Sequence, residues 1–162
     1  MDSSPEKKSI PLEQLMPLIR QQLAAGHSVR FGPKGTSMRP MLRQGIDTVE
    51  LSPLPETLKK YDLPLYQRQN GQYVLHRIIE AGDTYICMGD NQFDPEPGLT
   101  REQMIGIVTA FFREEKRRSV DCWQYRFYCR FWHFSRPVRR CFRGITEGIW
   151  KTLIKIKHRL FP

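Results

Sequence analysis

The spacing of hydrophobic positions changes twice along this chain. Between Pro11 and Ala25, the residues Leu12, Leu15, Met16, Ile19 and Leu23 recur at steps of three and four, which places them on one face of a helix. Gly26 stands where a helix commonly ends in the left-handed conformation, and Pro17 inside the run predicts a kink or a later start. Short apolar runs follow. Val29–Phe31, Thr48–Leu51, Leu63–Gln67, Tyr73–Ile79, Thr84–Met88 and Met104–Phe111 read as strands. Gly32-Pro33, Asn70-Gly71 and Ala81-Gly82-Asp83 separate them as turns, and Asn70-Gly71 between two strand-like runs predicts a hairpin. Beyond the charge cluster Glu114–Arg118 the helical period returns. Trp123, Phe127, Phe131 and Phe134 form one stripe. Val138, Phe142, Ile145, Ile149, Leu153, Ile156 and Leu160 form a second, and Arg136-Pro137 divides the two.

These periods predict a mainly β protein in three parts: an N-terminal helix (1–26), a β domain (27–112) and a helical tail (113–162). A length of 162 residues with 40% hydrophobic and 11% aromatic side chains is enough for one real core. No stretch approaches the roughly 20 apolar residues of a membrane-spanning helix. The first residues, Met1 to Lys8, are polar and lack the apolar core of a secretory signal, so the chain is expected to remain on the cytoplasmic side.

Charge changes the picture for the tail alone. The net charge is +9, yet residues 1–112 hold 12 Lys and Arg against 13 Asp and Glu, whereas residues 113–162 hold 14 against 4. Basic amphipathic helices bearing Trp and Phe suit the interface of an anionic membrane, which predicts a peripheral membrane location. Packing of the stripe on the β domain or on another copy is the alternative, and nothing specific points to nucleic acid. Cys87, Cys122, Cys129 and Cys141 show no metal-ligand spacing, so no metal or cofactor is expected and the thiols are expected to be free.

The segment Gly35-Thr36-Ser37-Met38-Arg39-Pro40-Met41-Leu42, followed by Gly45 and Asp47, carries the candidate chemistry. A Ser after a Gly-containing turn can expose its hydroxyl and leave nearby N–H groups free to face an oxyanion. Alone, such a Ser is ordinary loop chemistry. His76, within Val74-Leu75-His76-Arg77-Ile78-Ile79, would alone be an ordinary sheet histidine. As a neutral imidazole within reach of a Ser hydroxyl, it could instead take that proton at neutral pH.

The order of the segments decides between these readings. The Ser37-Met38-Arg39-Pro40 box, Tyr61-Asp62, His76-Arg77, Gly89-Asp90-Asn91 and Ile105-Gly106-Ile107-Val108 together resemble the S24/S26 serine peptidases, over roughly residues 33 to 110. This superfamily includes signal peptidases and self-cleaving repressors. The resemblance implies its β fold, a Ser37 nucleophile whose own N–H contributes to the oxyanion hole, and a base at position 76. His there is similar to signal peptidases of the endoplasmic-reticulum type, where the more usual bacterial enzymes have Lys. A carboxylate should orient the base. In the family the Asp matching Asp90 shapes the site, and the orienting Asp lies six residues later. Glu96 holds that offset here and Asp94 is close by, so Asp90, Asp94 and Glu96 all stay candidates. Two further departures are Tyr61 in place of a Gly and the absence of the family's membrane anchor. The implied substrate is an extended leader or signal segment with small residues beside the cut. Self-cleavage at Ala25-Gly26, as in the repressors, and a non-catalytic binding module on the same fold are the alternatives.

Overall fold

The computed structural model describes residues 11–142. Helix α1 (Leu12–Ala24) forms as its periodicity requires, burying Met16, Ile19 and Leu23. It runs on through Pro17, which lies on the exposed face. The helix ends at Gly26 with φ 82°. There the Gly26 N–H donates to the Leu23 carbonyl and the His27 N–H to that of Gln22, the paired bonds of a left-handed cap. The Ala25-Gly26 bond therefore belongs to a helix terminus.

Nine strands, among the described residues, form two antiparallel sheets: β1 (Val29–Phe31), β2 (Thr48–Ser52), β3 (Pro64–Gln67), β4 (Tyr73–Leu75), β5 (Arg77–Ala81), β6 (Tyr85–Met88), β7 (Glu96–Leu99), β8 (Met104–Arg113) and β9 (Lys116–Ser119). The larger sheet runs β1-β2-β8-β3-β4, with β9 also pairing with β8, and the smaller runs β5-β6-β7. The protein is mainly β, as the alternation predicts. Asn70-Gly71 does close a hairpin, with Gln67 opposite Tyr73. Leu58, Tyr66, Val74, Ile78, Tyr85, Cys87, Leu99 and Met104 pack together from both sheets and form the core beneath the candidate site.

Three differences from the sequence reading bear on function. The run Tyr73–Ile79 is two strands: β4 pairs with β3 in one sheet and β5 with β6 in the other. His76 is therefore the corner where the chain changes sheets, not a residue inside a strand. Strand β7 has no strand pattern, containing Pro97 and Gly98, and exists through its pairing with β6. Lastly, the sheet extends past residue 112. β9 is a charged edge strand, returned on β8 by a turn in which Glu114 and Glu115 both adopt positive φ.

The chain divides into two units, ending and beginning at Cys122 and Trp123. In the second unit α2 (Trp123–Phe134) is followed, after Ser135, by helical residues 136–142. Tyr125 and Cys129 are buried, whereas Trp123, Phe127, Phe131, Phe134, Val138 and Phe142 are between 57% and 74% exposed. Ile145, Ile149, Leu153, Ile156 and Leu160 lie outside the described residues. No helix among the described residues is long and apolar enough to cross a membrane.

Candidate active site

The loop between β1 and β2 presents Ser37, half-buried, and is held at both ends. Gly35 N–H donates to Gln44 Oε1 at 2.9 Å. At the far end Asp47, 1% exposed, accepts from the Arg43 backbone at 2.9 Å and from both ends of the Arg43 guanidinium. Arg113 on β8 reaches the same carboxylate at 3.5 Å and donates to the Met41 carbonyl at 2.9 Å. Burial alone would raise the Asp47 carboxyl, but these cations hold it below its ordinary value.

The Gly89-Asp90-Asn91 segment after β6 joins this loop to Arg77, the neighbour of His76. Asn91 N–H donates to the Ser37 carbonyl at 2.7 Å, and its side-chain amide to the Thr36 carbonyl at 3.3 Å. A Cβ on Gly89 would stand 2.7 Å from the Ser37 carbonyl oxygen, so the close approach needs glycine. Arg77, beside His76, donates from Nε and Nη2 to the two oxygens of Asp90, both at 2.8 Å. Both partners are buried. Ser37 and the residue following His76 are thus fastened to the same three-residue segment. The Ser37 N–H donates to no described residue.

His76 is 3% exposed. Burial lowers its pKa to about 4, although Glu96 and Asp90 favour its charged form. The ring is therefore neutral at pH 7, as a general base must be. Its Nδ1 lies 3.2 Å from the Tyr66 hydroxyl and 3.9 Å from Glu96 Oε2. Tyr66 donates to Glu96 Oε2 at 2.8 Å, and Arg68 donates to both Glu96 oxygens at 2.7 Å. Burial acts to raise the Glu96 carboxyl, yet the bonds from Arg68 and Tyr66 keep it below the ordinary value. No hydrogen bond joins His76 to Ser37 Oγ among the described residues.

The three candidate carboxylates separate cleanly. Glu96 faces the imidazole, Asp90 is occupied by Arg77, and Asp94 is exposed with no hydrogen bond or ion pair to a described residue. Tyr66 and Arg68 complete the cluster, and the sequence reading missed both. The signal was available only in part: Tyr66 and Arg68 alternate along β3 and its end, but their partner Glu96 sits on a strand without a strand pattern. Cys87, fully buried nearby, has its thiol pushed up to about 12 by burial, so it is no nucleophile. Among the described residues no three His, Cys, Asp or Glu side chains gather as metal ligands.

Set beside known proteins, the chain matches no family model and no curated protein.

Proposed function

We propose that this chain is a serine endopeptidase of signal-peptidase-like type, with Ser37 as nucleophile and His76 as general base. The observation that carries the reading is the arrangement around Gly89-Asp90-Asn91. A half-buried Ser, and the Arg that follows a buried neutral imidazole, are both bonded to one short segment, and a carboxylate stands on the far side of that imidazole. Ser37 Oγ attacks a peptide carbonyl while its proton passes to His76, and the Ser37 N–H faces the developing oxyanion. His76 then gives the proton to the leaving amine, and water releases the acyl-enzyme by the reverse sequence. The missing Ser37–His76 bond is compatible with this, since such bonds commonly tighten only with substrate in place. Signal-peptidase likeness, and with it an extended leader or signal segment as substrate, rests on the order of sequence boxes.

The exposed aromatic stripe of the second unit supports a companion proposal, peripheral attachment to an anionic membrane on the cytoplasmic side. Trp and Phe would enter the interface while Arg126, Arg130 and Arg140, also exposed, meet lipid headgroups. Each such cation is worth about 1 kcal/mol at an anionic surface.

The decisive experiment treats wild type and Ser37→Ala with a serine-reactive acylating probe and with a panel of leader peptides, using circular dichroism to compare folding. Labelling and cleavage confined to the wild type are expected. Equal behaviour of the two proteins rules out Ser37 as nucleophile and favours a non-catalytic module. Co-sedimentation with anionic and neutral vesicles addresses the tail. Binding only to the anionic ones, weakened by Phe127→Asp/Phe131→Asp, is expected, and indifference to lipid charge rejects the electrostatic part.

A further inference from the structure

A buried phenol stands between the imidazole and its carboxylate, and the direction of its single proton determines which ring nitrogen is the base. Tyr66 on β3 is completely buried. Glu96 is an ionised acceptor: Arg68 donates to both of its oxygens at 2.7 Å, and the Tyr66 hydroxyl donates to Oε2 at 2.8 Å. With its hydroxyl proton directed at Glu96 Oε2, the Tyr66 oxygen can only accept from His76, whose Nδ1 is 3.2 Å away. Nδ1 must therefore carry the imidazole proton, which leaves the lone pair on Nε2. At 3.9 Å the direct approach of Glu96 to Nδ1 is too long for a hydrogen bond.

We infer that Tyr66 is the positioning residue of His76, relaying the Glu96 carboxylate to Nδ1 and holding the imidazole as the tautomer whose Nε2 can accept a proton. The catalytic part of this inference rests on the reading of His76 as the base for Ser37, whereas the tautomer does not. Tyr66 is not itself an acid or base in the sequence of steps. Burial and the adjoining Glu96 push its phenol far above the ordinary value, so it keeps its own proton throughout. Around the ring, Glu96 and Asp90 favour the imidazolium and Arg68 opposes it. When Nε2 receives the Ser37 proton, Nδ1–H stays directed at Tyr66, with the charge of Glu96 behind it.

The imidazole nitrogen chemical shifts of the full-length protein, measured by NMR at pH 7, test this directly. The Nδ1–H tautomer is expected for wild type. In Glu96→Gln the amide can donate to Tyr66, which turns the phenol proton towards Nδ1. The His76 proton should then move to Nε2, and kcat should fall at least tenfold with KM little changed. Tyr66→Phe should give a mixture of tautomers. A wild-type ring protonated at Nε2, or a Glu96→Gln protein with the wild-type tautomer, overturns the inference. An Nδ1–H ring in a protein that shows no Ser37-dependent labelling or cleavage upholds the relay and removes the peptidase reading instead.

Discussion

At His76 the surroundings act against one another, and burial wins: the ring titrates at about 4, well below an exposed imidazole near 6.5. Above pH 6.5 it is neutral in the folded and unfolded chain alike. Between about 6.5 and 4 only the unfolded chain takes up the proton, so stability falls as pH falls, and the loss levels off below about 4. The full displacement corresponds to about 3 kcal/mol. Denaturant titrations from pH 7 to pH 4 should therefore fall more steeply for wild type than for His76→Gln, and parallel curves would contradict the assigned burial. The same displacement should carry the acid limb of kcat/KM towards pH 4. Tyr61 is a second residue held in an unusual state, with φ 79° where a glycine would be unstrained. Its N–H donates to the Ile78 carbonyl and its own carbonyl accepts from Arg77, bonds that maintain the strained turn near His76. Tyr61→Val should be about 1–2 kcal/mol less stable than Tyr61→Gly, because both remove the ring but only Val keeps the steric penalty. Equal stability of the two would show that the turn relaxes.

Among the elements, β8 carries most of the organisation, pairing with β2, β3 and β9. Gly106 lets α1 and β2 approach it closely. An added Cβ would stand 2.9 Å from Leu51 Cγ and the Ser52 carbonyl oxygen, and 3.0 Å from Leu23 Cδ1. Gly106→Ala should thus cost about 1–3 kcal/mol by overpacking. Gly82→Ala, whose nearest contact would be 3.9 Å, should cost far less. Thermal melts of the two variants would show the ordering, and its inversion would mean that α1 does not pack there. The Ile105-Gly106-Ile107-Val108 pattern was legible as a strand. The need for glycine within it was not, because the crowding atoms come from α1 and β2. Similarly, Lys116–Ser119 falls in the charge cluster at the start of the tail and becomes a strand only because β8 offers its edge.

For the whole molecule the important boundary is Cys122, not residue 112. A chain ending at 112 loses β9 and Arg113, and with them the clamp on the Met41 carbonyl and Asp47 that closes the Ser37 loop. A chain ending at 122 keeps both. The longer truncate should therefore be the more stable and the more readily labelled by a serine-reactive probe. Equal stability and labelling would make β9 dispensable. The amphipathic period of α1, its glycine stop, five of the six strand runs and the β3–β4 hairpin were all determined by the sequence, since each depends on side chains a few residues apart. The order of the boxes singled out Ser37, His76 and the carboxylates Asp90, Asp94 and Glu96 as candidates, without choosing among the three. The split of Tyr73–Ile79 at His76, the use of Asp90 by Arg77, the idleness of Asp94 and the interposition of Tyr66 were decided only by tertiary structure. Each of these depends on which strand end meets which, across 10 to 30 residues of chain, and local periodicity contains no information about such meetings.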